Sequence, residues 1–130
     1  MNLFLRWWKF NLVGAMGMAT QLALLAFFHR VTGGHYLFAT AAAVELTLLH
    51  NFFWHRHSTW RDRRNDPPLA QLWRFHLSNG AISMAGNLAL MPLLFRAAHL
   101  PLLLANFIAI VGCSVVNFCL GHCWAFAVKA

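Results

Sequence analysis

The chain has 130 residues, 60% of them hydrophobic and 10% charged. A soluble domain this small needs more polar surface, so the composition excludes an ordinary soluble globular fold and points to a membrane protein. Ten basic residues against three acidic ones, Glu45, Asp62 and Asp66, give a net charge of +7. Most of the basic residues stand between apolar runs or at their ends, which excludes the solvated basic face of a nucleic-acid binder.

The N-terminal stretch MNLFLRWWKF lacks a small-residue cleavage site before a polar mature sequence and is not expected to be a removable signal. The first apolar run covers about 10–28. As a helix it would rise roughly 28 Å, enough to cross a bilayer core. A loop at 29–35 follows, and its Gly33-Gly34 pair marks the break between two antiparallel helices. The second run covers 36–54. The segment 55–74 is the only soluble-looking stretch; it holds Arg56, Arg61, Arg63, Arg64 and Arg74, and Pro67-Pro68 breaks any continuous helix. Twenty residues cannot form a domain, so this is a basic interfacial linker. The third run is about 75–95, a second short turn is 96–101, and the fourth run is 102–120, continuing to Phe126.

The pattern predicts an all-α membrane protein with four transmembrane helices. Arg6, Lys9, the five linker arginines and Lys129 make eight basic residues on one side, against Arg30 and Arg96 on the other. The positive-inside rule therefore puts both termini and the linker in the cytoplasm. Trp7, Trp8, Trp54, Trp60 and Trp73 flank the basic segments and Trp124 sits at the matching end of the fourth run, a pattern that predicts an aromatic belt.

The two halves resemble each other. Asn51–Trp60 reads NFFWHRHSTW and Asn117–Phe126 reads NFCLGHCWAF; both fit N-F-x-x-x-[R/H]-x-x-x-[W/F]. Sixty-five residues separate Trp8-Lys9-Phe10-Asn11-Leu12 from Trp73-Arg74-Phe75-His76-Leu77, and sixty-six separate the Asn-Phe motifs. This predicts a first repeat at about 6–60, a basic linker at 61–72 and a second repeat at about 73–126, within a single membrane domain. Two helices per repeat make the repeats parallel, not inverted.

Candidate chemistry follows from that symmetry. Lys9 and Arg74 open the odd helices, and Arg56 and His122 close the even ones. Together they predict a ring of cations at one interface, suited to an anionic headgroup such as a phosphate. The alternative is that basic residues at helix ends snorkel and set topology. Asn51 and Asn117 either fix helix packing or present an amide to a headgroup. A polar stripe is expected at Thr40, Thr47 and Asn51, answered by Asn106, Cys113 and Asn117 in the fourth run. Asn79, Ser83 and Asn87 in the third run, and Gly14, Gly17 and Gln21 in the first, offer further small or polar positions. Glu45 sits near the bilayer centre, either held inside the bundle or as a proton- or cation-coupling site. Asp62 and Asp66 are expected to form local ion pairs in the linker. Cys113, Cys119 and Cys123 show no disulfide framework, and a site at Cys119, His122 and Cys123 would lack a fourth ligand, so neither metal nor cofactor is expected. No catalytic constellation is present: no nucleophile elbow, Gly-rich phosphate loop or paired carboxylates.

The order and spacing of these motifs resemble the GtrA-like family of small four-helix membrane proteins. The matching residues are Trp8–Gly14, Ala39–Trp60, residues 73–77 and residues 105–126. The resemblance implies a non-enzymatic, multi-pass protein of the inner membrane in cell-surface polysaccharide synthesis. It would bind and translocate a polyprenyl phosphate or its glycosylated form, as a flippase, among membrane lipids. Partners would be a polyprenyl-phosphate glycosyltransferase and further copies of the chain. His122 stands where the family carries Arg, and Thr20-Gln21 where an acidic residue is common. Two other functions fit the same helices: a small proton-coupled cation or drug transporter using Glu45, and an accessory anchor for a membrane glycosyltransferase.

Overall fold

The computed structural model describes residues 1–33, 35–64 and 66–128, with the side chains of all of these except 36, 37, 87, 91, 95, 102, 103 and 105–107. Gly34 and Lys129 therefore lie outside the described residues, as do the side chains of Asn87 and Asn106. Among the described residues the chain is entirely helical: α1 Leu3–Val31, α2 Tyr36–Trp54, α3 Pro68–Met91 and α4 Leu102–Leu120. Among the described residues, three helical stretches are long and apolar enough to cross a membrane: Leu3–Val31, Pro68–Leu94 and Ile108–Ala125. α2 carries Glu45, His50 and Asn51 within its 19 residues.

The chain divides into two units, Met1–Arg64 and Asn65–Ala130. In the first, α1 begins where Asn2 Oδ1 accepts the Leu5 amide at 2.8 Å, satisfying a donor that the first turn leaves open. It ends at Gly33, whose φ of 64° is open to glycine without steric cost. α2 folds back along α1. The contact on α1 is Arg6, Phe10, Val13 and Gly17, three and four residues apart. On α2 it follows the i, i+4 ridge through Ala39, Ala43, Thr47 and Asn51 and continues to His55 and Thr59. Such a ridge drifts around the helix by about 40° per step. Thr40 consequently faces outward, and the expected stripe through Thr40 holds only from Thr47 to Asn51.

The second unit packs α3 on α4 by the same rule. Gln71, Phe75 and Ser78 are buried on α3; Ala109 is buried on α4, followed by half-buried Cys113 and Asn117 and buried Gly121 and Ala125. α3 starts at Pro68, about two turns earlier than the apolar run suggested. Proline at the first helical position loses no hydrogen bond, so Pro67-Pro68 opens this helix and shortens the linker.

Each even helix ends in a π-helical turn, His55–Thr59 in one unit and Gly121–Ala125 in the other. Each turn closes with the next amide on the same carbonyl: Trp60 N–H on His55 at 2.8 Å, Phe126 N–H on Gly121 at 2.9 Å. The aromatic side chain that follows is completely buried in both cases. Trp60 therefore does not belong to the aromatic belt; Trp8, Trp54, Trp73 and Trp124 are exposed.

Candidate functional site

In the first unit the π-turn folds Trp60 over α1. Phe10 stacks on the His55 imidazole with centroids 4.9 Å apart, and Trp60 meets both rings edge-on at 6.0 and 5.2 Å. His55 Nδ1 lies 3.1 Å from Thr59 Oγ1. His55 lies beyond the last residue of α2, and burial, assisted by His50, pushes its pKa down to about 3. It is a neutral packing residue.

Arg6 is the buried cation of this end. It is 3% exposed, and its Nη2 donates to Asp62 Oδ2 at 2.7 Å. Asp62 pairs across 56 residues of sequence, and the expectation of a local pair fails. Partial burial pushes the Asp62 carboxyl up, but the hydrogen bond and charge of Arg6 outweigh it and hold the group below the usual carboxylate range. Asp66 does pair locally, with Arg74 eight residues on. Arg74 also donates Nε to the Ala70 carbonyl at 3.3 Å. Its charge is thus partly spent within its own unit.

Lys9 and Arg56 are half-buried, on two elements that pack together: α1 and the π-turn after α2. His57 is exposed and donates Nδ1–H to the Phe53 carbonyl at 2.8 Å. His122, half-buried, stacks on Phe118 at 5.9 Å. Glu45 lies on the exposed side of α2, away from the α1 contact.

The two asparagines sit deeper, at the helix contacts. Asn51 covers Gly17 so closely that a Cβ there would overlap its amide, and Asn51 Oδ1 lies 3.2 Å from His50 Nδ1. Beside it opens a cavity of about 270 Å³ lined by Gly14, Gly17, Gln21, Thr47 and Asn51, with two apolar side chains completing it. Asn117 donates Nδ2 to Ser83 Oγ at 3.5 Å, while its Oδ1 is buried without a partner among the described residues. One turn away Cys113 Sγ fills the space over Gly86. Along each hairpin the cations stand at the end and the amides at the helix contact. The cavity and the burial of Arg6 lie outside what the sequence led one to expect. The only sequence signal for Arg6 is that it heads the apolar series Arg6, Phe10, Val13, Gly17. Among the described residues no three His, Cys, Asp or Glu side chains form a metal-binding group, and Cys119 and Cys123 are exposed.

Long apolar helices carrying paired Asn-Phe motifs, each closed by a buried aromatic, define a small all-helical membrane protein. The family described as GtrA/DPMS, transmembrane domain, matches residues 9–128, and the chain belongs to that family. A dolichol-phosphate mannosyltransferase from Pyrococcus furiosus is 32% identical over 103 residues, which make up 79% of this chain and 28% of that relative. The chain thus spans less than a third of the length of the curated relative it matches.

Proposed function

We propose that this chain is a non-enzymatic membrane protein that binds a polyprenyl-phosphate-linked sugar and carries its headgroup across the inner membrane for cell-surface polysaccharide synthesis. The observation that carries the reading is the placement of half-buried Lys9 and Arg56 on two packed elements at one end of a hairpin, in a chain of the GtrA/DPMS family. A phosphate held there would meet the guanidinium fork of Arg56 and the ammonium of Lys9 while its polyprenyl tail stays in lipid. Arg74 and His122 would complete the ring in the second half, with Asn51 and Asn117 assisting from the helix contacts. Four crossings, cytoplasmic termini and parallel repeats belong to the same proposal. Its support is that Arg6, Phe10 and Val13 recur as buried Gln71, Phe75 and Ser78 at an offset of 65, and Phe52 and Trp60 as buried Phe118 and Phe126 at 66.

The test is polyprenyl-phosphate affinity in detergent. Arg56→Ala is expected to lose about 1.5–3 kcal/mol, the scale of a hydrogen bond to a charged group, and Arg56→Lys to recover part of it. A triple alanine variant at Arg61, Arg63 and Arg64 should bind nearly as wild type. The reverse ranking places the phosphate on the linker and removes the site.

A second reading is favoured by the relative's size: a domain matching 28% of a mannosyltransferase can serve as the membrane anchor of a glycosyltransferase, on the same or another chain. Co-purification with such an enzyme, unaffected by Arg56→Ala and Lys9→Ala, would select it. Coupling through Glu45 predicts that Glu45→Gln abolishes transport; unchanged transport and pH dependence dispose of it.

A further inference from the structure

Three threonines of the first unit, in α1, at its C-terminal cap and in α2, behave differently. Thr20 donates to the Met16 carbonyl at 2.9 Å and Thr32 to the Phe28 carbonyl at 2.7 Å, each four residues back. This is the usual way a hydroxyl is satisfied on a helix. Thr47 makes no such bond. It is 5% exposed, and its buried Oγ1 has no partner among the described residues. An unpaired hydroxyl in an apolar interior is a standing cost, because no water reaches it there.

Thr47 lines the cavity between α1 and α2. Two more open hydrogen-bonding groups share it. Gln21 makes no side-chain hydrogen bond among the described residues, and Asn51 has only the contact of its Oδ1 with His50, leaving Nδ2 as a donor. Gly14 and Gly17 make the room: a Cβ at Gly14 would meet nothing within 4 Å. All three polar groups are neutral, and no titratable side chain lines the cavity. Such a site gives a charged group no counter-ion. It suits a neutral group dense in hydroxyls, which can both donate and accept.

We infer that this cavity takes the uncharged, hydroxyl-bearing head of the ligand, a single sugar ring, while the phosphate stays at Arg56. The inference rests on the proposed lipid-linked sugar and assigns its two halves to two places. Asn51 and Arg56 are five residues apart, or about 7.5 Å along a helix, a separation that one pyranose ring joined to a phosphate covers. At the corresponding contact of the second unit Cys113 Sγ lies over Gly86 and Asn117 donates to Ser83.

The experiment compares purified full-length protein and variants in lipid nanodiscs, with four probes: polyprenyl phosphate and its glucosyl, galactosyl and mannosyl forms. Wild type should bind at least one hexosyl form more tightly than polyprenyl phosphate. Thr47→Val keeps the shape and removes the hydroxyl. It should lower that preference about three- to ten-fold, the worth of one neutral hydrogen bond, with polyprenyl-phosphate affinity unchanged. The same change should raise the melting temperature, because it deletes an unpaired buried oxygen. Gly14→Leu should fill the cavity and erase the preference. Arg56→Ala should weaken all four probes together. A protein that binds polyprenyl phosphate through Arg56 but prefers no hexosyl form overturns this inference alone. So does a preference that survives both Thr47→Val and Gly14→Leu. Wild type that binds none of the four probes overturns the phosphate reading as well.

Discussion

In Met1–Arg64 the two helices touch where Asn51 lies over Gly17, and a cavity remains beside them. In Asn65–Ala130 they touch where Cys113 lies over Gly86, and Asn117 is bonded to Ser83. The buried phenylalanine of the odd helix, the Asn-Phe pair, the π-turn and the buried aromatic after it are the same in both. The cations are not. Arg6 reaches Asp62 across the whole hairpin, whereas Arg74 finds Asp66 within the approach to its own helix. The difference teaches that the recurring residues hold the frame, while the others set how each helix contact is filled. In the second half, Arg74 is ion-paired with Asp66 and His122 stacks on Phe118.

The largest expected effect tests the shared frame. Trp60→Ala and Phe126→Ala should each cost about 3–5 kcal/mol in thermal or denaturant unfolding in detergent, because each empties a fully buried aromatic site. Trp60→Phe, which copies the other half, should cost much less. A small loss from one alanine variant and a large loss from the other would mean that only one unit is closed by its aromatic.

Glycine substitutions sharpen the comparison at the helix contacts. Gly17→Ala should collide with the Asn51 amide and Gly86→Ala with Cys113 Sγ, each at about 1–3 kcal/mol. Gly80→Ala meets nothing within 4 Å and should gain about 0.5–1 kcal/mol from the better helix former. Cys113→Ala should relieve Gly86→Ala and leave Gly17→Ala unchanged; rescue of both would show that the contacts are not independent.

The ion pairs separate the units again. Asp62→Asn leaves the buried Arg6 guanidinium without its counter-charge. The expected loss is about 1–2 kcal/mol, discounted because the Asp62 side chain is 42% exposed. Arg6→Gln, which copies Gln71, should largely abolish the effect of Asp62→Asn in a double-mutant cycle.

The last expected effect is a pH dependence confined to the first unit. His55 has a folded pKa of about 3, below its unfolded value of about 6.5. Above pH 6.5 it is neutral in both states. As pH falls from there toward 3, only the unfolded chain takes up the proton, so stability declines by about 1.4 kcal/mol per pH unit. His55→Phe should flatten that slope while keeping the stack on Phe10. An unchanged slope would assign it to other groups.

The sequence carried the frame because the frame is repeated: Phe10 and Phe75, Asn51 and Asn117, Trp60 and Phe126 announce themselves by position. It also placed Gly14, Gly17, Gln21, Thr47 and Asn51 among small or polar positions, and these are the residues that line the cavity. The rest was hidden for physical reasons. Periodicity marks a helix but not the drift of its contact ridge, so Thr40 was grouped with Thr47. Hydropathy reads an arginine near a terminus as interfacial and cannot foresee a partner 56 residues away, as for Arg6 and Asp62. Trp60 looked like a lipid-facing anchor because tryptophans near basic segments usually are; only the π-turn reveals that it folds inward.

That turn has a dynamic consequence. Helix ends ordinarily fray first, since their last hydrogen bonds are held by little else. The end of α2 is instead latched: the Trp60 amide closes onto the His55 carbonyl, and its indole is trapped under the same contact with Phe10. The opposite end begins at His35 without a side-chain cap. Amide exchange along α2 should therefore run backwards from the usual order, slowest around 55–60 and fastest in the first turn. Arg56 then sits on the latched end of the hairpin, where the proposed phosphate contact would need no prior ordering.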